Sequence, residues 1–117
     1  MTSSQESSLF TNTGPWISTL PLADLPVDGT GCTVMVAEQR VALFHHEGEV
    51  HAVDDACPHA GASLGDGVIS NGDVTCPFHS WHFDLKSGKN TDSLDACVAV
   101  FRTRVGDDGV VEVQLPA

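Results

Sequence analysis

Two short runs of the chain combine thiols with imidazoles: Cys57-Pro58-His59 and, after sixteen intervening residues, Cys76-Pro77-Phe78-His79. Thiolate and imidazole bind soft and borderline metals, so metal ligation is the first chemistry to consider. Two cysteines and two histidines can hold one zinc in a tetrahedral site. The usual zinc arrangement groups Cys with Cys and His with His, whereas here each run carries one of each. That division suits a cluster of two irons, in which thiolates bind the inner iron and neutral imidazoles the outer one. Cys57 and Cys76 would then meet the buried iron, and His59 and His79 the iron near the surface. With two thiolates and two sulfides against two ferric ions, the oxidised site is neutral and accepts an electron more readily than a four-thiolate cluster. The residues by themselves leave both zinc and the cluster open.

Whatever the metal, something must bring the two runs together. Alternating or continuous apolar runs predict strands at Cys32 to Ala37, Arg40 to His46, Val50 to Asp54, His79 to Leu85, Val98 to Val105 and Val110 to Leu115. Glu47-Gly48, Lys86-Ser87-Gly88-Lys89 and Gly106-Asp107-Asp108-Gly109 have the length and glycine content of hairpin connections. Pro21 to Pro26 is too short for more than one helical turn. These signals predict an all-β, mostly antiparallel sandwich or barrel with almost no helix. Residues 56 to 79 read as a long irregular segment around one short apolar stretch, and such a segment in a compact domain usually has a function. Residues 1–13, rich in Ser and Thr, read as a disordered arm, and 14–117 as one domain.

The 117 residues leave no room for a second catalytic domain. Sixteen acidic against five basic residues, a net charge of −11, argue against nucleic acid and against anionic membranes. No run approaches the roughly 18 apolar residues of a membrane span. The start MTSSQESSLF lacks the basic and apolar regions of a secretion signal, so a cytoplasmic protein without disulfides is expected. Between Arg40 and Lys86 there is no Lys or Arg, while Glu47, Glu49, Asp54, Asp55, Asp66, Asp73 and Asp84 all lie there. That stretch is either a solvated surface or a docking face for a basic partner. Cys32 and Cys97 sit in apolar runs and are expected to pack as small buried hydrophobes. His45, His46, His51 and His82 are expected to be surface or packed residues, since the four ligand positions are filled. Gly61, Gly65 and Gly67 would let backbone N–H groups approach cluster sulfurs, and Trp81 and Phe83 would pack and shield one side of the cluster.

The stretches Cys57-Pro-His59-Ala-Gly61, Leu64, Gly67 and Cys76-Pro-Phe-His79-Ser-Trp81-His-Phe83-Asp84-Leu-Lys-Ser-Gly88 resemble the Rieske family over about residues 15 to 116. The resemblance implies an antiparallel β-sandwich with a two-loop tip at about residues 55–84. It also implies one [2Fe–2S] cluster per chain on Cys57, His59, Cys76 and His79. Respiratory members carry an extra Cys in each loop, forming a disulfide; the matching positions here are Ala62 and Phe78. Those members also place Ser and Tyr hydroxyls where this chain has Trp81 and Phe83. The potential should therefore fall toward the low end of the family's range, about −150 mV.

Among low-potential members, Trp16, Leu22-Ala-Asp-Leu-Pro26, Val41-Ala-Leu-Phe44 and Val50-His-Ala-Val-Asp54-Asp55 look most like the small subunits of assimilatory NAD(P)H-dependent nitrite reductases. The partner would then be a larger flavin- and siroheme-containing subunit, and the chain would have no catalysis of its own. The alternative is the ferredoxin of an aromatic-ring dioxygenase, working between a flavin reductase and an oxygenase.

Overall fold

The computed structural model describes residues 14–57, 62–77, 81–92 and 96–115. Among them are nine strands: β1 (Trp16–Pro21), β2 (Cys32–Val36), β3 (Gln39–His46), β4 (Glu49–Asp54), β5 (Val68–Ser70), β6 (Asp73–Thr75), β7 (His82–Asp84), β8 (Val100–Val105) and β9 (Val110–Gln114). A six-stranded antiparallel sheet runs β1-β9-β8-β4-β3-β2, and a three-stranded antiparallel sheet runs β5-β6-β7. Helix is confined to single 3-10 turns at Leu22–Asp24 and Leu64–Asp66. The all-β expectation holds, and the segment between Pro21 and Pro26 makes the one turn its length allows. No helix among the described residues is long and apolar enough to cross a membrane.

Burial along β3 shows how one strand serves two cores. Val41 and Leu43 point into one apolar cluster with Ala52, Phe101, Val111 and Val113, while Ala42 and Phe44 point into another with Val53, Val74 and Phe83. Successive side chains of a strand face opposite ways, so a continuous apolar run is the signature of burial on both faces. The second cluster lies between the large sheet and the small one, and Cys57 and Cys76 belong to it. Phe44, Phe83 and Leu64 are fully buried there, each contributing on the order of 2 kcal/mol through the apolar area removed from water. The small sheet is also attached to the chain before β2: Thr30 bridges Val68, and the Ile69 N–H donates to the Gly29 carbonyl at 2.8 Å.

Three strands were not expected from the sequence. β1 was masked by its mixed polarity, with Ser18 and Thr19 inside it. β5 and β6 lie in the segment read as irregular, joined by Asn71 (φ 55°) and Gly72 (φ 84°). Two consecutive residues of positive φ make the turn that matches the twist of a two-residue hairpin, and Asn-Gly is its strongest sequence signal. The strand expected from His79 is seen as His82–Asp84, with His79 outside the described residues, and β8 begins at Val100 rather than Val98. The expected disordered arm, residues 1–13, also lies outside them.

The Asn71-Gly72 turn yields a test. A Cβ at Gly72 would meet nothing within 4 Å, so Gly72→Ala probes backbone conformation alone. It should lower stability by about 1–2 kcal/mol, the usual cost of a left-handed backbone for a residue with a Cβ. Denaturant unfolding of the two proteins checks this, and equal midpoints would show that the turn relaxes without cost.

Candidate metal centre

Cys57 leaves β4 through Asp55 and Ala56, and Cys76 leaves β6 directly after Thr75. The two turns that follow are closed in the same way. The Cys57 N–H donates to the Ala62 carbonyl at 2.9 Å, and the Cys76 N–H donates to the Trp81 carbonyl at 2.7 Å, in each case to the fifth residue on. One position further out, Ala56 pairs with Ser63 and Thr75 with His82, each seven residues on. Two loops of equal span are thus pinched shut at their bases, with a cysteine just inside each pinch. The tips, residues 58–61 and 78–80 with His59 and His79, lie outside the described residues.

Both cysteines are free of disulfides, and each is 1% exposed. They share the apolar cluster of Ala42, Phe44, Val53, Leu64, Val74 and Phe83. A negative charge buried in such surroundings is costly unless a cation offsets it, and a metal does so directly. Phe83 forms part of this wall, and Trp81 packs on it with ring centroids 6.4 Å apart at 44°. The packing expected of these two aromatics is present.

Asp55 fixes the first loop. Its carboxylate is fully buried and accepts from the Thr33 hydroxyl (2.8 Å), the Ser63 hydroxyl (2.9 Å), the Gly65 N–H (2.9 Å) and the half-exposed Arg40 guanidinium (2.6 Å). Burial pushes the carboxyl up, but the donors from Gly65, Thr33, Ser63 and Arg40 outweigh it and hold the group below the ordinary value of 3.8. The backbone agrees: Asp55 donates to the Arg40 carbonyl, and Leu64 donates to the Asp55 carbonyl. Gly65 and Gly67 have a different reason from the one expected. A Cβ at Gly65 would strike the Thr33 hydroxyl, and one at Gly67 the Thr75 carbonyl, so both glycines serve packing of the loop against the strands. Gly61 lies outside the described residues. Asp55 was missed as a positioning residue because an acid beside another acid, Asp54, reads as surface charge.

On the second loop's far side, Asp92 accepts from both the backbone N–H (2.7 Å) and the ring Nδ1 (2.9 Å) of His82. These bonds hold the Asp92 carboxyl below its usual value. The remaining histidines sit in strands as expected: His46 pairs with Asp28 at 2.7 Å, and burial lowers His51 below the ordinary 6.5. No group of three or more metal-binding side chains occurs among the described residues. Cys32 is half-buried against the first core, but Cys97 is exposed, bridging Lys89 at the end of its run where β8 has not yet begun. The acidic stretch does not form one face. Asp54 and Asp66 lie beside the first loop and Asp55 is buried, whereas Glu47 and Glu49 flank the β3–β4 turn at the other end of those strands, and Asp73 and Asp84 pair at the far end of the small sheet.

The Rieske [2Fe–2S] domain family model matches residues 15–107. The ferredoxin component of a naphthalene 1,2-dioxygenase/salicylate 5-hydroxylase system from Ralstonia sp is 36% identical over 74 residues, covering 63% of this chain and 70% of that one. A protein described as an NADH-dependent nitrite reductase small subunit from Mycobacterium tuberculosis superposes with a TM-score of 0.81 at 28% identity, over 88% of this chain and 96% of its own. The ferredoxin of Sphingomonas yanoikuyae B1 superposes at 0.78 with 25% identity, over 87% and 100%. The cofactor of this family is a [2Fe–2S] cluster, and two buried cysteines on matched loops, neither in a disulfide, fit it.

Asp55→Asn keeps the size of the side chain but removes the charge and part of the acceptor capacity facing four donors. It should destabilise the holoprotein by about 2 kcal/mol and speed loss of the visible cluster spectrum in denaturant. Wild-type unfolding and bleaching rates would show that Asp55 does not hold the loop.

Proposed function

The chain belongs to the Rieske [2Fe–2S] family, and on that premise we propose that Cys57, His59, Cys76 and His79 hold its single cluster, cysteines at the inner iron and histidines at the outer. When bound, the cluster supplies a one-electron couple, and the chain is a Rieske electron-transfer protein. The protein's own part is to hold two thiolates rigidly in an apolar wall and to leave the histidine side toward a partner. Phe83 in that wall has no hydroxyl, nor has Trp81, and the chain contains no tyrosine at all. Less hydrogen bonding to the sulfurs leaves the reduced state less stabilised, which supports a potential near the low end of the family's range.

We read residues 14–117 as the electron-carrying domain of an NAD(P)H-dependent nitrite reductase small subunit, working in cytoplasmic nitrate assimilation beside a larger flavin- and siroheme-containing subunit. The observation that carries this reading is agreement along nearly the whole fold with the Mycobacterium tuberculosis small subunit, at 96% of that chain. The second reading is a ferredoxin of a ring-hydroxylating dioxygenase, favoured by the 36% identity to the Ralstonia ferredoxin component.

Two measurements test these assignments. Native protein should contain two irons and two acid-labile sulfides per chain and, once reduced, show a rhombic EPR signal with nitrogen hyperfine coupling; His79→Ala should lose it, and Cys57→Ser or Cys76→Ser should fail to assemble the cluster. One zinc without sulfide would overturn the ligand assignment. Adding the protein to the siroheme nitrite reductase large subunit of the same genome should raise NAD(P)H-dependent nitrite turnover. No effect there, with electron delivery to a ring-hydroxylating oxygenase, would decide for the second reading.

A further inference from the structure

At the end of the fold away from the cysteines, the ladder between β4 and β8 stops early. Ala52 pairs with Phe101 and Val53 with Val100, but beyond them the strands are joined only by the Thr103 hydroxyl donating to the Val50 carbonyl at 2.8 Å. A cleft of about 560 Å³ opens in this region, with Leu85, Val100 and Phe101 among its lining. Of the chain's five fixed cations, three line it: Lys86, Arg102 and Arg104. His45 and His51 line it too, and Glu49 is its one acid; Glu47 and Asp84 belong to the adjoining hollow. Arg104 is engaged, bonded to Glu112 and lying 4.2 Å from the Trp16 ring. Lys86 and Arg102 are exposed and make no ion pair among the described residues. His45 Nδ1 is buried and has no hydrogen-bond partner among them.

Three lining cations against one lining acid set this cleft apart in a protein of net charge −11, with Arg104 shared with Glu112. The positive charge is spread out, not focused on a point. Lys86 stands on the turn after β7, while Arg102 and Arg104 are alternate residues of β8, about 6.6 Å apart at the usual strand rise. A compact anion would meet one wall only. Carboxylates at alternate positions of an extended segment repeat at the same interval as the arginines. From Glu49 to Asp54, β4 extends about 17 Å toward Cys57, so an occupant of the cleft leaves the cysteine loops clear.

We propose that this cleft docks an extended acidic segment of the redox partner, so that the chain is held by the end opposite its cluster while the histidine side stays available. The inference rests on the electron-carrier assignment and is independent of which of the two partner systems is the physiological one.

The test titrates the holoprotein with a hexaglutamate peptide at low salt, followed by amide NMR and calorimetry, beside the Lys86→Glu/Arg102→Glu double variant. Saturable shifts confined to residues 45–51, 85–86 and 100–105 are expected, with affinity falling as salt rises and about tenfold weaker in the variant. No saturable shifts, or equal affinity in the variant, would overturn the proposal. Inorganic phosphate that produces the same shifts at equal or higher affinity would replace it with a small-anion site. In whichever partner system accepts electrons, the variant should raise the KM for the partner about tenfold while its visible spectrum and reduction by dithionite match wild type; an unchanged KM would overturn the docking role. If neither system accepts electrons, the nitrite and dioxygenase readings fail, and the peptide titration still decides the cleft.

Discussion

The buried carboxylate of Asp55 is the constraint on which the first cysteine loop depends. Its four donors come from β2, β3 and the turn beyond the loop, so the carboxylate ties that turn to the β2–β3 ladder. A charge taken out of water is costly unless its hydrogen-bonding capacity is filled, so the native arrangement of those segments is enforced by the alternative, an orphaned carboxylate. Cys57 follows two residues later and inherits the rigidity. The close fit of Gly65 against Thr33 and Asp55 is the steric counterpart, since any side chain there would push the loop off its anchor.

The second loop reaches the same result by different means. It has no buried carboxylate; it is an excursion from the β6–β7 hairpin, and pairing of Thr75 with His82 and of Val74 with Phe83 holds its base. Both loops nevertheless end in the same closure, a cysteine N–H bonded to the carbonyl five residues on. Equivalent closures present the two thiols to one apolar cluster in comparable frames. This fits the requirement that two ligand pairs meet two metal ions at once, a requirement that a single mobile loop would meet only at a large entropic cost.

The family, the β-rich fold and the strands that line the cores were legible because each rests on local pattern: residue type at short spacing, or alternation over five residues or more. β5 and β6 were not, because three-residue strands carry no measurable period, although Asn71-Gly72 was a hairpin signal in plain view. Cys97 looked buried from its apolar neighbours, yet Val98 is the residue that turns inward and Cys97 faces water. Asp55 and the basic cleft were invisible for a deeper reason. Both are made of residues distant in sequence, Thr33 with Ser63 in one case and Lys86 with Arg102 in the other, and only the sheet topology brings them together.

The dispersal of the acidic stretch changes what the net charge can do. Seven acids without a cation between Arg40 and Lys86 look like one surface, but the chain reverses at the β3–β4 turn, at the β5–β6 turn and again between β6 and β7, and the charges divide between opposite ends. One of them, Asp55, is internal and contributes nothing to a docking face. At physiological ionic strength charges are screened over about 8 Å, less than the length of β4, so a partner in contact feels one end of the molecule at a time. Near the cysteine loops it meets Asp54, Asp66 and Asp92; at the other end it meets Lys86 and Arg102 among Glu47, Glu49, Asp73 and Asp84. An electron carrier must bind tightly enough to align and loosely enough to leave. Two exposed cations without an ion pair, a strand's length from the cysteine loops, let orientation be set at one end without tightening the contact through which the electron passes.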